Sequence, residues 1–328
     1  MLFYIVKRII YMVPTMIGIS FIAFAIIQLP PGDYLTSLMA AMTQQGQTID
    51  PATEAALRAR YGLDQPFLVQ YWKWISGIVF RGDFGWSFEW GQPVSRLLNQ
   101  TLPLTLIVSI ASLAFVWIVA LPIGIYSAVR RYSLGDHVFT LFGFLGLAIP
   151  NFLLALTLMY VAYEYFGQNV GGLFSPEYEN APWTWARFKD FIAHLWIPVI
   201  VIGTSGTASL IRIMRANLAD ELNRPYVVTA RAKGLSEATV ILRYPVRIAL
   251  NPFISTIGWV LPALVSGVTI TAIVLNLPTA GPILIRALVA QDMYLAGSFI
   301  LLLSILTLIG TLLSDILLAA LDPRIRFQ

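Results

Sequence analysis

Of 328 residues, 58% are hydrophobic and 12% charged, and the mean hydropathy is +0.75, values that exclude an ordinary soluble domain and predict an all-α integral membrane protein. The net charge of +4 sits at positions flanking apolar segments, where membrane orientation explains it without nucleic acid. Having no cysteine, the chain can form neither disulfides nor thiolate metal sites, and its redox compartment stays open.

Segments long enough to cross about 30 Å of hydrocarbon as helices fall at 9–29, 103–129, 138–166, 191–211, 252–277 and 295–320. They predict about six crossings with both termini on one side. Lys7 and Arg8 ahead of the first apolar run imitate a signal peptide. The run is long, however, and passes into Pro30-Pro31-Gly32-Asp33 without a small-x-small cleavage site, so residues 1–30 read as an uncleaved first transmembrane helix.

Residues 31–100 are too many for a simple connection and predict a small extracytoplasmic cap. Within it, Asp50-Pro51 opens a helix that Gly62 closes. Phe67–Phe80 is apolar but too short to cross, and its Trp72, Lys73 and Trp74 suit the headgroup level. Arg81–Phe88 is a glycine-punctuated loop. Residues 101–328 then form a core of five further crossings. The loop at about 167–190 carries Glu177, Glu179, Trp183 and Trp185, which serve either as an aromatic belt or as a ligand contact.

Between the fourth and fifth crossings lies a polar island, Arg212 to Asn251. Asn223 is placed to cap a helix, Pro225 fits its first turn, Arg231 and Lys233 its last, and Gly234 the left-handed stop. A second short helix starts at Ser236, with Glu237 in its first turn, and ends at Pro245. Thirteen basic residues, seven of them in the island, fall on this side and eight on the other, mostly in longer loops. The island and both termini are therefore expected in the cytoplasm.

Enzymatic signatures are missing. His137 and His194 are the only histidines, so there is no H-E-x-x-H pair and no metal cluster. Neither a G-x-S-x-G elbow nor a G-x-x-x-x-G-K-[ST] phosphate loop is present, and Gly203-Thr204-Ser205-Gly206-Thr207 reads as close helix packing. Any nucleotide must bind to another chain. Ionisable groups inside crossings are few (Glu164, His194, Asp315), which argues against ion-coupled secondary transport. Neutral polar residues in the crossings include Gln28, Asn151, Thr204, Ser205, Thr207, Ser266, Thr269, Thr271 and Asn276. These either line an aqueous path or bond one helix to another.

The run Tyr226–Leu235, Y-V-V-T-A-R-A-K-G-L, resembles the signature loop of binding-protein-dependent ABC importer permeases, whose pattern is E-A-A, a Gly four residues on, and a later I-x-L-P. Ala230 and Gly234 match, Val228 and Thr229 replace the acid and first Ala, and the later motif is lost at Tyr244-Pro245-Val246-Arg247. Those departures are similar to the oligopeptide/dipeptide branch. The opening K-R-I-I-Y-M-V-P-T-M-I-G-I-S-F, Tyr61–Pro66, Gly82–Ser87, Thr101–Leu106 and the terminal D-P-R-I-R fit the same branch in order and spacing.

The resemblance implies a type I ABC importer permease that makes or breaks no covalent bond. Asn223, Pro225, Tyr226, Thr229, Ala230, Arg231, Ala232, Lys233, Gly234 and Leu235 would belong to a coupling helix seated on a cytoplasmic ATPase, with Ala230 and Ala232 permitting close approach. Its expected partners are a second, related permease, two ATPase subunits holding ATP and Mg, and an external substrate-binding protein, all at a bacterial or archaeal cell membrane. Small peptides are the expected cargo, with oligosaccharides or another small solute as the alternative.

Overall fold

A computed structural model of the chain describes residues 2–29, 32–44, 50–168, 170–179, 181–258 and 268–321. The described residues are mostly helical. From the N-terminus, α1 (Leu2–Gln28), α2 (Tyr34–Gln44), α3 (Pro51–Tyr61) and α4 (Phe67–Arg81) lead to a short antiparallel pair, β1 (Trp86–Ser87) and β2 (Gln92–Pro93). After these come α5 (Val94–Val129), α6 (Leu134–Ala148), α7 (Asn151–Phe166) and α8 (Trp185–Glu221). Four short helices follow: α9 (Pro225–Ala232), α10 (Glu237–Arg243), α11 (Pro245–Ala249) and α12 (Asn251–Thr256). The last are α13 (Thr269–Val274), α14 (Ala280–Val289) and α15 (Met293–Leu321).

Helices α1, α5, α8 and α15 are each long and apolar enough to cross a membrane, and α6 with α7 forms a fifth candidate bent by 102°. A continuous crossing over 138–166 is thus corrected to a broken one. Pro150 is the physical cause: it lacks an amide hydrogen and pushes the preceding residue out of the helical region, and Ile149 accordingly sits at φ −82°, ψ 122°. Of the segment expected to cross at 252–277, residues 259–267 lie outside the described residues, and its described parts are α12 and α13.

The chain divides into two compact units, each assembled from separated stretches. One comprises Met1–Ile5, Leu106–Pro278 and Thr307–Gln328. Its core packs Val116 and Ala120 of α5 with Leu210, Met214 and Leu218 of α8, and with Ile241, Val246 and Phe253 from the short helices that follow. Small residues permit the approach, as expected where helices pack in lipid. A Cβ at Gly124 would lie 2.6 Å from the Met214 side chain, and one at Gly203 would lie 2.5 Å from the Phe115 ring.

The other unit comprises Val6–Thr105 and Thr279–Leu306. Here α4 buries Gln70, Trp74 and Gly77, a single helical face at i, i+4 and i+7. Trp74 is 3% exposed, stacks on Phe24 at 5.3 Å and donates to Ser298 Oγ at 3.4 Å. It is therefore a core residue and not a headgroup anchor, whereas Trp72, half a turn away, is 64% exposed. Asp292 is buried ahead of α15, where it accepts from Ser87 Oγ at 2.6 Å and from the Glu89 and Leu295 amides. Burial raises its carboxyl above the usual range against these bonds. Asp50 occupies the N-cap of α3 without a side-chain bond, and Gly62 ends that helix at φ +69°.

Candidate functional site

Two features of the first unit bear on function: the polar loop after α8 and a cavity lined by α5, α7, α8 and their neighbours. In the loop, Pro225 takes the first position of α9, as its missing amide hydrogen allows. The N-cap is Arg224 and not Asn223, whose side-chain amide instead donates to the Ala219 carbonyl at 3.2 Å and closes the end of α8. Gly234 follows the helix at φ +77°, with its amide donating to Arg231 O at 2.9 Å. Ser236 and Glu237 begin α10 as the sequence predicts.

The loop holds itself together. Val227, Ala230 and Val240 form a small buried cluster flanked by Tyr226 and Tyr244. Ala230 therefore faces the loop's own core, and of the two alanines only Ala232 lies on the exposed face, with Val228, Thr229, Lys233 and Leu235. Arg231 donates to both oxygens of Glu237 at 3.1 and 2.6 Å, bracing α9 against α10. The Glu237 carboxyl is thereby held below its usual range. Tyr226 donates to Glu221, joining α9 to the end of α8; burial, then Glu221, pushes its hydroxyl well up. Thr229 turns its hydroxyl back to the Pro225 carbonyl at 3.0 Å.

One contact that sequence reading did not find connects α8 to α6. Ser133 caps α6 by accepting from the Asp136 amide, and the Asp136 carboxylate accepts from the Tyr132 amide and from Arg215. The signal was present as Ser133-x-x-Asp136, the spacing of a capping box. Its partner, 79 residues later, could not be read from spacing.

A cavity of about 760 Å³ opens among α5, α6, α7, α8 and α12. Of the polar residues expected along a path, Asn151 and Ser205 line it. Thr204 does not: its hydroxyl donates to Ile200 O at 2.6 Å and its methyl group meets Gly146. Thr207 and Thr269 are buried away from the lining, and Asn276 is exposed in a left-handed turn at φ +50°. Ser266 lies outside the described residues. Hydroxyl residues not singled out in the sequence, Ser109, Ser112, Ser209, Ser255 and Thr256, complete the polar part of the lining. Ser109 and Ser112 are three apart and Ser205 and Ser209 four apart, so each pair shares a helix face.

Several helices long and apolar enough to cross a membrane, with a self-braced polar loop among them, define a multi-pass membrane protein. The family described as binding-protein-dependent transport system inner membrane component matches residues 120–327, and the N-terminal part of such membrane components matches residues 1–111. The chain belongs to that family. It is 34% identical over 325 residues to the oligopeptide transport system permease protein AppB of Bacillus subtilis (strain 168), covering 99% of both chains. It is 31% identical over 344 residues to the dipeptide transport system permease protein DppB of Escherichia coli (strain K12), covering 100% of both. Against the glutathione transport system permease protein GsiC of Salmonella choleraesuis (strain SC-B67) the identity is 30% over 328 residues, again covering 100% of both.

Proposed function

We propose that this chain is a permease subunit of an ATP-driven importer of small peptides and forms half of the translocation path. The carrying observation is full-length similarity to relatives named for oligopeptide, dipeptide and glutathione transport, joined to a polar loop whose exposed face carries the apolar Val228 and Leu235. In this reading that face sits on a cytoplasmic ATPase subunit, and ATP and Mg are held by two such subunits. A second, related permease completes the pore, an external binding protein delivers the cargo, and residues 31–100 meet that protein or shape the pore mouth. The membrane is the inner membrane of a bacterial or archaeal cell, with both termini in the cytoplasm.

The chain's own residues account for how motion would pass inward. The Arg231–Glu237 pair and the Val227, Ala230 and Val240 cluster make α9 and α10 move as one body. Tyr226 transmits that displacement to Glu221 at the end of α8, and Arg215 passes it to Asp136 at the start of α6. Both α6 and α8 contribute to the cavity wall, so a shift at the loop alters the cavity. The test is ATP-dependent uptake by the assembled complex in proteoliposomes, with trialanine compared to maltotriose. Trialanine uptake is expected; uptake of maltotriose alone would overturn the peptide reading and favour a sugar importer.

A further inference from the structure

A smaller cavity, of about 300 Å³, lies in the first unit between the end of α5 and α10. Pro122, Ile125 and Val129 form one wall, at i, i+3 and i+7 on a single face of α5. Ala238, Ile241 and Leu242 form the other, at i, i+3 and i+4 on α10. It is an open groove: Val129 is 42% and Leu242 60% exposed, and Pro122 and Ala238 are exposed as well. Its floor is firm, because Ile241 packs into the same buried core as Ala128 and so holds α10 against α5.

The two ends of the groove differ in chemistry. Pro122 falls within the apolar run of a membrane-length helix, about 12 Å along the axis from Arg130, so that end lies at the depth of hydrocarbon. Arg130 stands at the other end, just past α5, with its guanidinium 5.8 Å from the centre of the Tyr126 ring, a contact that favours a cation there. No carboxylate pairs with Arg130 among the described residues, nor with its exposed neighbour Arg131 or with the exposed Arg243 of α10. The acids of the same segments are already engaged, Asp136 with Arg215 and Glu237 with Arg231.

We propose that this groove binds one anionic phospholipid, with an acyl chain between α5 and α10 and the headgroup phosphate on Arg130. An apolar trough that runs from hydrocarbon depth to an unpaired cation matches an amphiphile of the opposite sign, and basic pockets at the ends of membrane helices take such headgroups. A segment of a soluble partner would have to enter the hydrocarbon to reach Pro122, whereas a lipid is already there. The site does not depend on the cargo. Because Glu237 of α10 holds Arg231 of α9, a lipid in the groove would help to fix the whole loop against the membrane.

The test titrates phosphatidylglycerol, and separately phosphatidylcholine, into the detergent-purified complete complex and counts bound lipid by native mass spectrometry, with variants of this chain in an otherwise unchanged complex. Wild type should bind phosphatidylglycerol the more tightly. Arg130→Gln should weaken that binding about fivefold, as loss of one cation at an anionic headgroup implies, and Arg130→Lys should keep most of it. Arg131→Gln removes the same charge one residue away, outside the groove lining, and should change it by less than about twofold. Ala238→Trp, which fills the groove from an exposed position, should weaken binding of both lipids, and Ala238→Leu serves if the Trp variant does not assemble. Equal losses for Arg130→Gln and Arg131→Gln would show only a general attraction of lipid to basic surface and overturn the site. Lipid binding unchanged in the assembled Ala238 variant would overturn it too, and loss of an ATPase subunit from that variant with lipid binding intact would give the groove to the subunit instead.

Discussion

Asp136 and Arg215 form a two-point ion pair, with Arg215 Nε and Nη2 donating to the two carboxylate oxygens at 2.9 and 2.8 Å. The Asp136 side chain is 1% exposed and that of Arg215 33%, so the carboxylate has little water to fall back on. Removing one partner of a buried pair leaves an uncompensated charge, which costs more than the pair itself contributes. Arg215→Met should therefore destabilise the protein by about 3 kcal/mol, and Asp136→Asn, which leaves no buried charge, by less. Thermal unfolding of the purified complex measures both. An Arg215→Met variant as stable as wild type would show that the pair does not bind α8 to α6.

Reversal of the exposed pair in the loop should behave differently. Arg231→Glu alone places two acids together and should reduce binding-protein-stimulated ATPase activity, while the Arg231→Glu, Glu237→Arg double variant should recover most of it. The pair also sets a pH dependence. Glu237 has its folded pKa lowered by Arg231, so the pair's contribution is complete above the ordinary carboxyl pKa and is lost as pH falls through the lowered value. Wild-type coupling should thus weaken on acidification in that range, and the Glu237→Gln variant should lack that component. Identical acid profiles in the two would remove this role.

Gly234→Val should impair uptake while leaving expression largely intact. A Cβ there meets nothing within 4 Å, so crowding is not the cause. The cost is the left-handed backbone at φ +77°, about 1–2 kcal/mol for a residue with a side chain and more awkward for a β-branched one. Gly234→Asn, which tolerates this conformation better, should retain more transport. Equal uptake by the Val variant and wild type would sink the argument.

Trp74 and Trp72 should separate cleanly. Trp74→Ser removes a buried ring stacked on Phe24 and should cost about 3–5 kcal/mol, in the range of large aromatic truncations. Trp72→Ser alters an exposed side chain and should leave the unfolding midpoint nearly unchanged. A larger loss at Trp72 would mean that its face is covered in the assembled complex.

Sidedness can be read with two thiols, since the chain has no cysteine of its own. Ala56 and Ala238 are both exposed, so single cysteines there should react with an impermeant reagent from opposite sides of the membrane. Labelling of both from the outside would overturn the assigned orientation.

What the sequence by itself determined is whatever depends on neighbours along the chain. Apolar length marked the long helices, because a backbone in lipid must satisfy its own hydrogen bonds. Local punctuation placed Pro225 at the start of α9, Gly234 beyond its end and Ser236 before α10, and the motif order identified the family. The break at Ile149-Pro150 was also written locally, but hydropathy alone averaged across it. Tertiary structure decided the rest, because burial depends on which faces meet. It turned Ala230 into the loop's own core, made Trp74 a core residue where Trp72 is not, and joined Asp136 to Arg215 across 79 positions. It likewise brought Ser112 and Asn151 to one cavity and left Thr204 and Thr207 outside its lining. A hydroxyl on a membrane helix serves a cavity or a neighbouring carbonyl with the same chemistry, and only the packing of the other helices selects between them.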